Sequence, residues 1–345
     1  MRYRLYTTSH KAWDAMFRVM TAAKKSIYLE MYVFLSDTQA THDFFKLLKT
    51  KAQAGVEVVI IADAYGSGSL KSEVIGELRI AGGEFIYFSH WFRHTHRKIV
   101  IIDNEIALIG GVNIEEKTRN WRDMQVELQG QIVAPLLKSF AYAYEMAGGK
   151  KESILKYSRL PLVQKIKSWI TDNFSVTRGG YHLTEYYKKK IVEAKESIQM
   201  VTPYLLPPRW MIALLDDACR RGVKVEILVP QDTDVKPLNK VNYLNFCRLA
   251  AYGVKFYLLP VMNHAKIMLI DGIEGVIGSQ NMEFLSFNWN IEAGVFFRQK
   301  QSVADLQKVI EHWKKESAIF ESPGKKIKLP DRLLIGILKI FYPIF

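Results

Sequence analysis

The octapeptide HRKIVIID, His96 to Asp103, returns as HAKIMLID, His264 to Asp271, with His, Lys and Asp at identical spacing 168 residues further on. The surroundings return with it. LIGGVN, ending at Asn113, is answered by VIGSQN, ending at Asn281, again 168 residues later; AKKSI (Ala23–Ile27) is answered by AKESI (Ala194–Ile198), and AGVEVVII around Gly55 by RGVKVEIL around Gly222. A chain with such internal self-similarity is a tandem duplication of one unit, and its fold is the fold of that unit built twice.

Each unit reads as α/β. A helical segment leads into an apolar strand (SIYLEMYVF or SIQMVTPYL), then an amphipathic helix ends at Gly55 or Gly222, a natural helix stop. The next strand, VEVVIIAD or VKVEILVP, is the continuous β-branched run of a sheet covered on both faces. After another helix comes the motif strand. Asp103-Asn104 and Asp271-Gly272 then signal tight turns, so each motif is expected on a hairpin whose return strand ends in Gly-Gly or Gly-Ser.

Side chains two apart on a strand share a face, which projects His96 with Lys98 and His264 with Lys266, while the return strands carry Asn113 and Asn281 back toward the histidines. The aspartates, seven residues from their histidines, lie at the turns and take a structural or network role. Two imidazoles, two ammoniums and two carboxamides suffice to handle a phosphodiester. One neutral histidine attacks phosphorus, and the other, protonated, serves the leaving alkoxide and then activates the acceptor. The lysines and asparagines stabilise the charge of the five-coordinate transition state. A divalent ion is then redundant, and neither metal nor cofactor is expected. Each histidine also needs a carboxylate for its second nitrogen. Asp123, 27 residues after His96, and Glu292, 28 after His264, are the candidates by their near-matching offsets.

The paired HxKxxxxD motifs resemble the phospholipase D superfamily over nearly the whole chain. Further stretches are similar to the bacterial cardiolipin synthases: LEMYVFLSD, HRKIVIIDNEIALIGGVNI, TPYLLP, RRGVKVEILVP and GSQNMEFLSFNWNIE. The resemblance implies two α/β repeats related by a pseudo-twofold with the active site at their interface. Repeat 1 spans residues 1–150, a basic apolar connector 151–178, repeat 2 179–322 and an amphipathic tail 323–345. His96, Lys98, Asp103, His264, Lys266 and Asp271 fall on the family's catalytic motif, with His96 as nucleophile and His264 as general acid. Asn113 and Asn281 fall on phosphate-binding positions, and Asp123 and Glu292 on the carboxylates that pair with the histidines. The implied reaction transfers a phosphatidyl group from one phosphatidylglycerol to another and releases glycerol. The alternative is a phospholipase D or nuclease, in which water takes the second step. Two departures bear on substrate: Leu285 stands where the family often has arginine, and His94-Thr95 where it often has Arg-Asn.

Composition agrees with a membrane-surface enzyme. At 345 residues, 49% of them hydrophobic and 24% charged, the chain can bury a full core, and its net charge of +13 favours an anionic partner. Two cysteines, without metal-ligand spacing, fit a reducing compartment. No run reaches the roughly 18 apolar residues that span a bilayer. Two basic apolar segments, KYSRLPLVQKIKSWITDNF and the terminal KKIKLPDRLLIGILKIFYPIF, suit an interfacial location. The expectation is a peripheral protein on the cytoplasmic face of the membrane, with anionic phospholipid and not nucleic acid as partner. Tyr32 and Tyr204 read as core, and His90 and His94 as solvent or pocket rim.

Overall fold

The computed structural model describes residues 2–90, 93–160, 168–172 and 183–322. The first repeat contributes β1 (Arg2–Thr8), α1 (Ser9–Ala22), β2 (Ser26–Met31), α2 (Phe44–Gln53), β3 (Glu57–Asp63), α3 (Ser72–Ile80), β4 (Glu84–Phe88), β5 (Lys98–Ile102), β6 (Ile106–Gly110), β7 (Arg122–Gln129) and α4 (Val133–Met146), followed by the short α5 (Glu152–Leu155). Its sheet runs β1-β7-β6-β5-β2-β3-β4. The parallel half, β2-β3-β4, is joined through the antiparallel β2–β5 pair to the hairpin half.

The second repeat contributes β8 (Ser168–Asp172), α6 (Leu183–Glu193), β9 (Ser197–Val201), β10 (Leu205–Leu206), α7 (Arg209–Arg220), β11 (Lys224–Pro230), α8 (Lys236–Ala250), β12 (Lys255–Leu259), β13 (Ile267–Ile270), β14 (Glu274–Gly278), β15 (Met282–Glu283), α9 (Phe284–Asn288), β16 (Ala293–Phe297), α10 (Lys300–Lys315) and β17 (Ala318–Ile319). Read from β8, its sheet is β8-β16-β14-β13-β9-β11-β12, matching the first strand for strand, with β17 added at the edge. Thus β8 is the counterpart of β1. Residues 168–172 of the segment expected to be a connector belong to the second sheet, where they pair with β16. A single five-residue edge strand in a basic stretch carries no alternation strong enough to mark it in the sequence. The C-terminal tail lies outside the described residues, as do residues 161–167 and 173–174 of the other basic apolar segment.

The β-branched runs are buried on both sides, as expected of covered sheets. In β3, Val59 and Ile61 face a core between the two sheets, whereas Val58, Ile60 and Ala62 face a second core under α1 and α2. The central core draws on both repeats, joining Ile99, Ile101 and Ile109 to Ile267, Leu269 and Ile277, with α4 and α10 filling the space at its sides. Burying an aliphatic side chain here contributes about 1.5–3 kcal/mol, and dozens of them make the interface between repeats a true core. Among the described residues, no helix is long and apolar enough to cross a membrane.

Candidate active site

The motif strands begin at Lys98 and Ile267, so the histidines stand just ahead of them. What holds each histidine is the other repeat. The His96 N–H donates to the Ile291 carbonyl (3.0 Å), and the Ile291 N–H returns a bond to His94 (2.8 Å). The second copy repeats the arrangement: the His264 N–H donates to the Arg122 carbonyl (2.7 Å), and the Arg122 N–H to Met262 (3.1 Å). These parallel bridges, Thr95 with Ile291 and Arg122 with Asn263, place each imidazole beside the residue after the partner's bridge.

The carboxylate pairing is therefore crossed. His96 Nδ1 lies 3.0 Å from Glu292 Oε1, and His264 Nδ1 lies 2.9 Å from Asp123 Oδ2. The offsets within each repeat pointed to these two carboxylates but not to the exchange. Since a carboxylate only accepts, both Nδ1 atoms carry hydrogen, leaving each Nε2 for chemistry. His96 and His264 are buried, 7% and 5% exposed, so both rings are held in place.

Lys98 and Lys266 are fully buried in the same site. Each ammonium donates back to the carbonyl of its histidine, Lys98 at 2.6 Å. Burial, and then the nearness of Lys266, hold Lys98 well below the usual lysine range, and burial brings Lys266 down to about 8. Burial, outweighing Glu292, pushes His96 down to about 4; it also lowers His264, with Lys266 adding to the effect. Glu292 is held below the ordinary carboxylate range: burial acts to raise it, but His96, Lys98 and Ser279 prevail. Excess positive charge in a closed site is relieved by an anion, which would let both lysines hold their protons.

Asn113 and Asn281 are buried, and their side-chain oxygens have no protein partner among the described residues. An unmet buried group of this kind costs about 1–3 kcal/mol, which a bound ligand or water can offset. One amide hydrogen of Asn281 is committed to Glu283 Oε1 at 2.6 Å. Glu283, buried and acting electrostatically on Lys266, Tyr32 and Tyr204, is a site carboxylate absent from the candidates above, since its short offset from Asn281 carries no pairing signal.

Asp103 and Asp271 stay out of this cluster, which corrects their grouping with the catalytic set. Each sits in a left-handed turn conformation (φ 53° and 51°) at the opposite end of its motif strand. Asp103 accepts the backbone N–H groups of Lys24, Lys25 and Ser26, and Asp271 those of Lys195, Glu196 and Ser197, at 2.7–2.9 Å. Burial tends to raise both carboxyls, but these donors pull them below the ordinary range. They tie the hairpin to the start of the neighbouring strand, the structural role their odd offset suggested.

Tyr204 belongs to a small core with Leu206, Leu238, Val241 and Leu244, as expected, whereas Tyr32 is half-buried, and both rings also face the site. Tyr32 stands 4.8 Å from the His96 ring and beneath the Lys98 ammonium (4.9 Å), and Tyr204 lies 6.3 Å from His264, with its hydroxyl on Asp234. Their equivalent places in the two first strands were the available signal. Trp121 adds a third ring, 5.5 Å from His264. His94 is at the rim, bonded to Asp63, whereas His90 caps the Met146 carbonyl, so the two do not converge on a metal.

A family model described as "Cardiolipin synthase, PLD-like domain" matches residues 16–143 and again 187–314, one copy on each repeat. The chain belongs to this phospholipase D-like family. It is 30% identical to a cardiolipin synthase of Clostridium perfringens over 85% of this chain and 66% of that protein. It is 28% identical to cardiolipin synthase 1 of Staphylococcus epidermidis over 99% of this chain and 73% of that one. The chain thus spans about two thirds to three quarters of the length of these relatives. Among solved structures, phosphatidylserine synthase of Haemophilus influenzae superposes with a TM-score of 0.76 at 15% identity, covering 99% of this chain and 93% of the other, which shows a shared fold.

Proposed function

We propose that this chain is a phosphatidyltransferase of the cardiolipin synthase kind, joining two phosphatidylglycerols into cardiolipin and glycerol. The observation that carries the reading is the duplicated, crossed imidazole–carboxylate pair beside two buried lysines, in a chain whose relatives are named cardiolipin synthase. His96 Nε2 attacks the phosphorus of the first lipid. The bond to glycerol breaks as His264 Nε2–H protonates the leaving oxygen, and the phosphatidyl group stays on His96. His264, now neutral, takes the proton of the second lipid's terminal hydroxyl, whose oxygen displaces His96 from phosphorus. Protons and bonds balance over the cycle. Burial keeps His96 neutral, with its lone pair free for attack, down to about pH 4; burial lowers His264 too, so its acid form draws on Asp123 and on the anion bound beside it. Lys98, Lys266, Asn113 and Asn281 hold the non-bridging oxygens.

The enzyme works from the membrane surface, on its cytoplasmic face, drawn by the chain's positive charge. The test is incubation of the protein with phosphatidylglycerol vesicles in EDTA, followed by mass spectrometry. Cardiolipin and glycerol are expected; phosphatidic acid in their place would make the protein a hydrolase, and cleavage of DNA alone a nuclease. Removing residues 325–345 is expected to lower sedimentation with vesicles, and unchanged sedimentation would count against the tail as an anchor.

A further inference from the structure

Outside the paired-histidine site, His10, Asp14 and His42 bring three ligand atoms within 4.8 Å of one another. His10 and Asp14 are one turn apart on α1, with His10 Nε2 3.7 Å from Asp14 Oδ2. His42 reaches in from the segment between β2 and α2, its Nε2 2.9 Å from Asp14 Oδ1. In a tetrahedral site with metal–ligand bonds near 2.0–2.1 Å, ligand atoms stand about 3.3 Å apart, and the two imidazoles lie at distances on either side of that value from the two oxygens of one carboxylate.

The third ligand is built in rather than loosely exposed. His42 is 6% exposed, stacked on Phe44 and met edge-on by Trp13, Phe17 and His10. Thr41 Oγ1 lies 3.1 Å from its Nδ1, which leaves Nε2 facing Asp14. Such a partner on the second ring nitrogen is how ligating histidines are commonly oriented. His10 and Asp14 are about half exposed, so an ion can arrive from solvent. Arg119 interacts electrostatically with Asp14, but its Nε and Nη2 groups engage Glu116.

We propose that His10, Asp14 and His42 form a site for a divalent transition metal of the zinc class, with three protein ligands and a fourth position open to water. Two imidazoles and one carboxylate suit zinc, nickel or cobalt; calcium and magnesium call for all-oxygen shells. The ion clips α1 to the segment ahead of α2. Since Trp13 on α1 donates its indole N–H to the Asn113 carbonyl at 2.8 Å, the clip braces the backbone of a residue in the lipid site.

The test uses the full chain stripped with EDTA, titrated calorimetrically with zinc chloride and followed by visible absorption with cobalt. One ion per chain is expected, with tetrahedral cobalt bands and a rise in melting temperature on adding zinc. His10→Ala and Asp14→Asn, both at exposed positions that should not disturb folding, are expected to weaken binding by at least about 10-fold and to abolish the thermal shift, and Thr41→Ala to weaken binding by about 10-fold. A chain that takes up no zinc would overturn the proposal. So would zinc bound equally well by wild type, His10→Ala and Asp14→Asn, which would put the ion elsewhere on the surface.

Discussion

Around His96 the orienting carboxylate is a glutamate, Glu292, braced by the Ser279 hydroxyl; around His264 it is the shorter Asp123, braced by the Met124 N–H, and Gly111 occupies the place of Ser279. The backbone bridges of the two halves are the same, but the side chains are not interchangeable. A Cβ on Gly111 would come within 2.2 Å of Asp123 Oδ1, so the first repeat has room for a short carboxylate only because it has no side chain there. The electrostatics differ as well. Burial takes His96 to about 4 and holds Lys98 far below its usual range, but brings Lys266 only to about 8. The comparison teaches that a symmetric backbone frame can surround its two histidines with unlike side chains, which is what allows the division of labour proposed for them.

The strongest way to break this assignment is to remove each histidine. His96→Ala and His264→Ala are each expected to lower turnover by about 10³-fold or more. The two should differ with a donor lipid whose leaving group needs no proton, such as a nitrophenol. The His264 variant should then accumulate radiolabelled phosphatidyl-enzyme and the His96 variant none. Label on the His96 variant would reverse the roles.

Next come the carboxylates, expected to cost about 10²-fold each as Asp123→Asn and Glu292→Gln. Their pH profiles should move in distinguishable ways. Each carboxylate favours the imidazolium, so its loss lowers the pKa of its histidine. The acid limb of kcat/KM, set by a neutral His96, should move down in Glu292→Gln. The alkaline limb, set by a protonated His264, should move down in Asp123→Asn. One variant widens the bell and the other narrows it; identical shifts would mean the halves are not specialised.

Exchanging the bracing residues gives a smaller effect. Ser279→Gly should slow turnover by up to about 10-fold, the worth of one buried hydrogen bond to a charged group. Gly111→Ser should lower melting temperature and activity together. The smallest effect on chemistry is expected at the turns. Asp103→Ala and Asp271→Ala should leave kcat unchanged and cost about 1–2 kcal/mol of stability each, read from denaturant melts. Because both carboxyls are lowered in the fold, their contribution is present above the unfolded carboxyl pKa and fades as the pH falls through the folded values.

Much of this frame was readable in the sequence, because duplication prints the same residues twice. The repeated α/β order and the turn at Asp103-Asn104, with both residues at positive φ, follow from local pattern. What local pattern cannot carry is the contact between repeats. The offsets of Asp123 and Glu292 suggested service within each repeat, while the exchange depends on the bridges at Thr95–Ile291 and Arg122–Asn263, which no periodicity encodes. That Tyr32 faces an imidazole is not legible either, because an aromatic residue just past a buried strand looks the same in sequence whether it meets a helix or a histidine. The His10–Asp14–His42 cluster escaped for a similar reason: its third member is distant in sequence from the helical pair.

Each imidazole takes its direction from a carboxylate on the other copy, so neither copy alone holds a complete imidazole–carboxylate pair. Cutting the chain in two would yield a pair of fragments each holding a base with nothing to aim it, and activity would return only on their reassociation. Substitutions beside either carboxylate are felt first by the opposite histidine, so the two halves are bound to diverge in step however different their surfaces become.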